Sequence, residues 1–230
     1  MRIAVLGTGM VGRVLAGRLA ELGHDVVIGT RDPDATMARS EPDAMGNPPF
    51  AQWQGEHTGV RLVTFAEAGA HGEVVVNATS GGASLDALTT AAGGGGLAGT
   101  PILDVANPLD FSAGFPPTLS VCNTDSLAEQ IQAALPQAHV VKSLNTMNAN
   151  VMVEPSRVPG DHVVFVAGDD AAAKATVSDL LGALGWPAER ILDLGGLRSA
   201  RGTEMFLPLW LSMLQSLGGP DFNIAIARAL

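Results

Sequence analysis

The sequence contains no tyrosine and a single cysteine, Cys122. The missing tyrosine excludes dehydrogenases that protonate a carbonyl with a tyrosine hydroxyl, which are the Tyr-x-x-x-Lys short-chain enzymes and the aldo-keto reductases. One cysteine cannot form an intrachain disulfide, and this fits the reducing cytosol. We interpret Cys122 as a small buried apolar residue rather than a reactive thiol.

Positive charge is also scarce, since 13 Lys and Arg stand against 23 Asp and Glu. No basic run is present, so nucleic-acid binding is not expected. No apolar stretch reaches the ~20 residues of a membrane span. The nearest, 205–217, is interrupted by Pro208, Ser212 and Gln215. We therefore expect a cytoplasmic protein without a membrane segment.

Short apolar runs alternate with helical patterns along the chain. Strands are predicted at 2–6, 25–30, 60–64, 73–78, 101–105, 139–143, 163–167 and 190–193. Helices are predicted at 10–22, 84–92, 125–135 (capped by Asp125), 170–184 and 203–217, with a short alanine-rich helix before residue 73. This alternation predicts an α/β fold of the doubly wound Rossmann type, with a mainly parallel sheet and a small α/β C-terminal part. We place a dinucleotide-binding domain at 1–145 and a small C-terminal domain at 146–230.

Three segments lack a regular pattern. Residues 32–60 are rich in proline, glycine and asparagine and predict a long loop with a weak helical stretch near 34–45. Residues 106–124 predict an irregular loop. The glycines at 93–96 are interpreted as a turn and not as a phosphate loop.

A Gly-x-Gly-x-x-Gly motif follows the first strand and opens the first helix. It reads Gly7-Thr8-Gly9-Met10-Val11-Gly12. The first glycine permits the tight turn, the second lets a pyrophosphate approach the backbone, and the third lets helix and strand pack closely. The helix N-terminus offers free N–H groups to the phosphates. All six residues are therefore predicted to bind a dinucleotide.

The end of the second strand distinguishes NADP from NAD. An NAD enzyme usually carries an acidic residue there to hold the ribose hydroxyls, whereas this chain has Thr30 and Arg31, followed by Asp32. Thr30 and Arg31 can donate hydrogen bonds to a 2′-phosphate, and NADP(H) is the predicted cofactor. The alternative is an NAD enzyme in which Asp32 binds the ribose.

Small polar side chains follow three further strands. The residues predicted to bind the cofactor are Ala78 and Thr79, then Asn107 and Pro108, then Asn145, Thr146 and Met147. Because ligands bind at the carboxyl ends of parallel strands, we expect these residues to line one cleft with the glycine motif. Each of them is also typical of a helix cap or a turn.

These motifs resemble the coenzyme F420-dependent NADP reductase family over essentially the full chain. The resemblance rests on the glycine motif, on Gly29-Thr30-Arg31, on the 140–146 segment and on the 194–208 segment. It implies hydride exchange between nicotinamide C4 and deazaflavin C5, a chemistry that needs positioning more than acid–base catalysis. No catalytic side chain and no metal ligand is predicted, and the five histidines are expected at surface or capping positions.

The second redox substrate would be coenzyme F420 or a flavin such as FMN or FAD. The phosphate and glutamate tail of F420 require cations, and Lys142, Arg198 and Arg201 are the candidates. Arg201 is predicted to bind the cofactor, with an i, i+3 ion pair to Glu204 as the alternative. The family's His-Thr-Ile-Pro sequence is replaced here by 145–148, next to the expected deazaflavin pocket.

Two other functions stay open on the sequence alone. One is an NADP-dependent reductase of a small carbonyl or imine, although such enzymes usually add a large helical domain. The other is a non-catalytic NADP(H)-binding redox sensor. In each case we expect a small-molecule partner and a homodimer formed through the apolar 203–217 helix and the tail.

Overall fold

Strand β1 (Arg2–Leu6) lies inside the sheet because its last four residues are all apolar and buried. A computed structural model describes residues 1–43, 46–93 and 97–229. Its further strands are β2 (Asp25–Thr30), β3 (Arg61–Thr64), β4 (Val74–Asn77), β5 (Pro101–Asp104), β6 (Leu109–Asp110), β7 (Thr118–Leu119), β8 (His139–Ser143), β9 (Val164–Gly168) and β10 (Ile191–Asp193).

Eight of these strands form one sheet in the order β10-β9-β8-β5-β4-β1-β2-β3. All neighbours pair in parallel except β8 and β9. From β3 to β8 this is the strand order of a Rossmann fold, so the predicted fold class is confirmed. The sheet continues across the predicted boundary at residue 145, since β9 pairs directly with β8.

Helices cover both faces of the sheet. They are α1 (Met10–Glu21), α2 (Pro33–Met37), α3 (Phe50–Glu56), α4 (Phe65–His71), α5 (Gly81–Ala91), α6 (Leu127–Ala134), α7 (Ala149–Val153), α8 (Ala171–Ala183), α9 (Ala200–Met205) and α10 (Leu207–Leu217). Ile3 and Val5 of β1 face a core built with α1, α7 and α8, whereas Ala4 and Leu6 face a core built with α4, α5 and α6. This alternation is what a doubly covered strand requires.

The irregular segments contain more structure than predicted. The 32–60 segment carries α2 and α3, and α3 was missed because fewer than two turns give no clear periodicity. It is held by tertiary contacts: His57 stacks on Trp53 and lies against Gly17 of α1. The 106–124 segment contains the β6–β7 hairpin. Of the glycine turn predicted at 93–96, residues 94–96 lie outside the described residues.

Several local predictions were wrong. The N-cap of α6 is Ser126, whose hydroxyl accepts from the Glu129 N–H, and not Asp125. Cys122 is exposed, not buried. His162 is buried, with Nε2 near the Pro155 carbonyl and Nδ1 near the Asn223 amide.

The predicted 203–217 helix is two helices, α9 and α10, with Pro208 in the first turn of α10. Only Leu207 and Leu211 of α10 are buried, and Leu209 and Leu217 are exposed. An apolar helix that is exposed in the monomer is compatible with the predicted homodimer, which stays a prediction. Within the described residues, every helix is too short or too polar to cross a membrane.

Candidate functional site

The glycine loop between β1 and α1 is closely packed at its first and third glycines. Gly7 has φ +116°, and a Cβ there would lie 2.5 Å from the Ala78 carbonyl oxygen. A Cβ on Gly12 would lie 2.0 Å from the Gly7 carbonyl oxygen. Both distances are far below van der Waals contact, so the protein's own backbone requires glycine at these two positions.

The second glycine is different. A Cβ on Gly9 would meet no atom within 4 Å, and the residue has an ordinary extended conformation. Gly9 is the N-cap of α1 and has no side chain that could accept a hydrogen bond from the first N–H groups of the helix. Nothing in the protein demands glycine at residue 9, whereas a ligand that touches the backbone there does.

A cavity of about 430 Å³ adjoins this loop at the carboxyl ends of β1, β2 and β4. We call it the strand-end cavity. Its wall contains Gly7, Thr8 and Gly9 from the loop, Thr30 and Arg31 from the end of β2, and Ala78 and Thr79 from the end of β4. Seven of the predicted binding residues therefore meet at one place, as expected for strand ends in a parallel sheet.

One face of α5 closes the opposite side of the strand-end cavity. It presents Ala83, Asp86, Ala87 and Thr90, which follow the i, i+3, i+4, i+7 spacing of a helix face. This wall was not predicted from the sequence, although the helical spacing after the Thr79 strand end was a usable signal. Arg39, a second arginine in the cavity wall, was also not predicted.

The charged groups at the end of β2 are arranged for an anionic ligand. Arg31 and Arg39 are both exposed in the cavity wall. The Asp32 carboxylate caps α2, accepting from the Ala35 N–H at 2.9 Å. Because this carboxylate is already used as a cap, the arrangement favours the 2′-phosphate over the ribose-binding role of Asp32.

Thr30 lines the strand-end cavity and also has a local structural role. Its hydroxyl is buried and lies 3.0 Å from the Thr36 hydroxyl, which donates to the Asp32 carbonyl. Since the Thr36 hydrogen is used in that bond, Thr30 donates to Thr36. Thr30 therefore fixes the turn that carries Arg31.

The ends of β5 and β8 are tied together beside the strand-end cavity. The Asn107 amide donates to the Asn145 carbonyl at 2.9 Å, and the Asn145 amide donates to the Asn107 side-chain oxygen at 3.0 Å. The Asn107 carbonyl oxygen also touches α5, because a Cβ on Gly81 would lie 2.2 Å from it. The turn before Asn145 is unusual, since buried Leu144 has φ +63°.

The other predicted residues do not line the strand-end cavity. Met10 is exposed on α1, Val11 packs partly against the core, and Pro108, Thr146 and Met147 are buried. Thr146 and Met147 follow Asn145 directly and Pro108 follows Asn107. The Asn107–Asn145 pair thus brings Pro108, Thr146 and Met147 together at the carboxyl ends of β5 and β8. Thr79, at the carboxyl end of β4, lies on the neighbouring strand.

A buried hydrogen-bond network lies beneath these strand ends. Thr79 donates to the Asn77 side-chain oxygen at 2.7 Å, and the Asn77 amide donates to Asp104 at 2.8 Å. Lys142 donates to Asp104 at 2.9 Å and to the Ala106 carbonyl, and its ammonium lies 2.8 Å from Glu204. The Glu204 carboxylate in turn accepts the N–H groups of residues 127 and 128, at the start of α6.

The pKa values in this network reflect burial and charge. Burial by itself would lower the pKa of Lys142, but the Asp104 and Glu204 carboxylates outweigh it and the pKa is raised. Burial raises the pKa of Glu204, and Lys142 opposes that rise. Lys142 is fully buried, so its prediction as a cation for a phosphate-bearing substrate was wrong.

Arg201 is paired elsewhere. Its guanidinium donates two hydrogen bonds to Glu129, at 2.8 Å and 2.7 Å, outside the strand-end cavity. The alternative ion pair between Arg201 and Glu204 is not formed, since Glu204 points inward to Lys142. Arg198 is exposed. Among the residues that the structure describes, no group of three His, Cys, Asp or Glu is placed to hold a metal ion.

Comparison with known proteins shows the family to which this chain belongs. The sequence profile described as "NADP oxidoreductase coenzyme F420-dependent" matches residues 2–108, which include the glycine loop and the end of β2. A solved structure from Arthrobacter sp. FB24, named a "putative F420-dependent NADP reductase", is 58% identical with a TM-score of 0.93, and the match covers 99% of this chain and 100% of that one. The chain belongs to the F420-dependent NADP oxidoreductase family. The protein is therefore an NADP-dependent oxidoreductase.

Two curated relatives are more distant. The F420-dependent NADP reductase of Methanothermobacter marburgensis is 26% identical over 217 residues, covering 93% of this chain and 92% of the relative. The metalloreductase STEAP3 of Rattus norvegicus is 30% identical over 213 residues, covering 91% of this chain. This chain spans only 38% of the length of STEAP3, so the resemblance is to one part of that protein.

Proposed function

We propose that this oxidoreductase binds NADP(H) in the strand-end cavity and exchanges a hydride with a deazaflavin or flavin, for which coenzyme F420 is the favoured candidate. The observation that carries the proposal is the open space at Gly9, beside the exposed cations Arg31 and Arg39. Family membership supports F420 as the second substrate.

The residues present fit a dinucleotide phosphate. The backbone of the Thr8–Met10 loop would hold the diphosphate at the start of α1. Arg31 and Arg39 would hold the 2′-phosphate, where two guanidinium groups give charge-assisted hydrogen bonds. Ala78 and Thr79 would then lie along the path toward the nicotinamide, with the Asn107–Asn145 pair and the adjoining Pro108, Thr146 and Met147 at its far end.

When bound, the cofactor supplies nicotinamide C4 as the hydride donor in NADPH or as the hydride acceptor in NADP⁺. The (deaza)flavin takes the opposite role. The protein's part is to orient the two rings and to exclude water, which needs no acid or base from the chain. Of the three cations considered for the tail of F420, Arg198 is the one left exposed. We further propose a small-molecule redox partner, a homodimer through α9 and α10, and a cytoplasmic location, with no nucleic-acid or membrane partner.

The decisive experiment mixes the purified protein with NADPH and, separately, F420, FMN or FAD. Absorbance at the nicotinamide and deazaflavin bands reports the transfer. We expect NADPH oxidation with F420, matched by reduction of the deazaflavin in equal amount. Turnover with a flavin alone would reassign the second substrate. No oxidation with any acceptor would defeat the proposal and favour a carbonyl or imine reductase or a sensor.

Arg31 is expected to determine the preference for NADPH over NADH. Arg31→Ala removes a charge-assisted hydrogen bond to the 2′-phosphate, so the dissociation constant for NADPH should rise roughly 10- to 150-fold while that for NADH stays constant. Titration of both dinucleotides measures this, and Arg198→Ala, an exposed arginine outside the strand-end cavity, is the control. Equal losses for the two dinucleotides would contradict a 2′-phosphate contact.

A further inference from the structure

Arg13 is an arginine that the proposed reaction does not use, and yet it is 92% buried, since only 8% of it is exposed. It lies in the first half of α1, directly behind the glycine loop. Its Nε donates to the Thr8 carbonyl at 2.7 Å, and one terminal nitrogen donates to the Pro48 carbonyl. Its guanidinium carbon lies 5.4 Å from the centre of the Phe50 ring.

The backbone of Arg13 makes a second contact with the same loop. Its N–H donates to the Gly9 carbonyl at 3.0 Å, as the first hydrogen bond of α1. Arg13 therefore holds the carbonyl oxygens of both peptide groups that flank Gly9, one through its side chain and the other through its main chain.

The geometry of the peptide group gives this arrangement a consequence. In a planar trans peptide the C=O and N–H bonds point in opposite directions. Because Arg13 holds the Thr8 and Gly9 carbonyls on its own side, the N–H groups of Gly9 and Met10 point away from it. Around Gly9 itself there is room for a ligand, since a Cβ there would meet no atom of the described residues within 4 Å.

The electrostatic environment adds to the effect. Burial lowers the pKa of Arg13, partly offset by the Asp43 carboxylate. The guanidinium keeps its positive charge beside the loop, with its Nε 2.7 Å from the Thr8 carbonyl oxygen. A second cavity of about 490 Å³ is lined by Thr8, Gly9 and Arg13 together with 48–50, and it shares Thr8 and Gly9 with the strand-end cavity. Arg13 thus joins the glycine loop to the 48–50 segment.

We propose that Arg13 is a positioning residue for the dinucleotide: it orients the Gly9 and Met10 N–H groups toward the diphosphate by holding the two preceding carbonyls, and it anchors the 48–50 segment against the loop. This inference rests on the proposed NADP(H) site. It differs from the role of Arg31, because the diphosphate is common to NADPH and NADH.

The test compares Arg13→Met and Arg13→Lys with the wild type, using Arg18→Met as the matched control on the same helix, where Arg18 is paired with Glu21 at the surface. Dissociation constants for NADPH and NADH, the KM and kcat for each, and thermal unfolding are measured for every variant. Arg13→Met should weaken both dinucleotides by the same factor, about tenfold, mainly through KM. Arg13→Lys keeps the charge and one donor and should recover part of the affinity, while Arg18→Met should bind like the wild type.

The outcomes separate the two proposals. If the wild type fails to bind NADPH, the proposed function is wrong. If the wild type binds NADPH and Arg13→Met binds it equally well, with only a lower unfolding temperature, Arg13 is structural and this inference is overturned. A loss confined to NADPH would also overturn it, because that pattern belongs to the 2′-phosphate. Should Arg13→Met not fold, the Arg13→Lys variant decides by the same comparison of the two dinucleotides.

Discussion

Alanine at Gly9 is expected to leave the protein folded but to weaken NADPH binding, whereas alanine at Gly12 is expected to destabilise the fold. The two glycines are three residues apart in one loop, yet their surroundings are opposite. A Cβ at Gly12 would lie 2.0 Å from the Gly7 carbonyl oxygen, and a Cβ at Gly9 would meet nothing within 4 Å. The clash at Gly12 is with the protein itself, whereas at Gly9 a clash would arise only with the proposed dinucleotide.

The sizes of the two effects follow from the cost of a steric clash. Forcing an extra carbon into a packed site costs about 1–3 kcal/mol, and more where backbone must move. For Gly12→Ala this is a loss of unfolding free energy, measured by chemical denaturation. For Gly9→Ala the same cost falls on the complex, so the dissociation constant for NADPH should rise roughly 5- to 160-fold at an unchanged unfolding temperature.

A matched control is available in α8, where a Cβ on Gly182 would also meet no atom within 4 Å. Gly182→Ala lies outside the strand-end cavity and should leave NADPH binding unchanged, while the higher helix propensity of alanine should raise stability by up to about 1 kcal/mol. If Gly9→Ala bound NADPH as tightly as Gly182→Ala does, the dinucleotide would not contact the backbone at Gly9. Gly9→Ala also serves as the negative control for the NADPH oxidation assay.

Replacement of Lys142 by methionine is expected to be the most destabilising substitution in the buried network. Methionine fills a similar volume, but it leaves the Asp104 and Glu204 carboxylates buried without a cation, and the Ala106 carbonyl without its donor. Breaking a buried ion pair from one side costs about 3–5 kcal/mol. For a chain of this size the unfolding temperature should fall by roughly 6–20 °C.

The loss of stability in Lys142→Met should also depend on pH. Burial already raises the pKa of Glu204, and removal of the ammonium removes the main opposing charge. A carboxyl whose pKa is higher in the folded than in the unfolded chain binds a proton on folding, so stability falls as pH rises from the ordinary value of 4.5 toward the raised pKa. The deficit of Lys142→Met relative to the wild type should therefore be smaller at about pH 5 than at about pH 8.

Lys174 provides the control for Lys142. It pairs with Asp193 at 2.8 Å, but the carboxylate of that pair is largely in solvent. Surface pairs contribute about 0–1 kcal/mol, so Lys174→Met should change stability little at either pH. If the two lysine variants lost the same free energy, the Asp104–Lys142–Glu204 cluster would not be acting as a desolvated ion pair.

The main elements of the fold could be predicted from local pattern. The runs at β1 and β4 are apolar along nearly their whole length, as strands covered on both faces must be, and α1 and α8 carry an apolar stripe. α3 could not be predicted in this way, because it has seven residues and is held by the contact of His57 with Gly17. The exposure of Cys122 and the burial of His162 likewise depend on which segments pack above them.

The glycine loop was the firmest part of the site, and the sequence by itself determined where it lies and which residues compose it. The spacing of glycines after a strand is a local constraint, so the loop that it predicts is the loop found in the structure. The sequence also determined that Arg31, and not a carboxylate, follows β2 directly.

Only the tertiary structure decided which charged side chains pair with each other. Lys142 and Arg201 were both predicted as cations for the second substrate, with Glu204 as an alternative partner of Arg201. Instead Lys142 lies buried between Asp104 and Glu204, and Arg201 binds Glu129. These partners come from elements distant in the sequence, and the favourable pairing depends on burial, which no local pattern reports. For the same reason the distinction between Gly9, open to a ligand, and Gly7 and Gly12, closed by the backbone, became visible only once the strand ends were assembled.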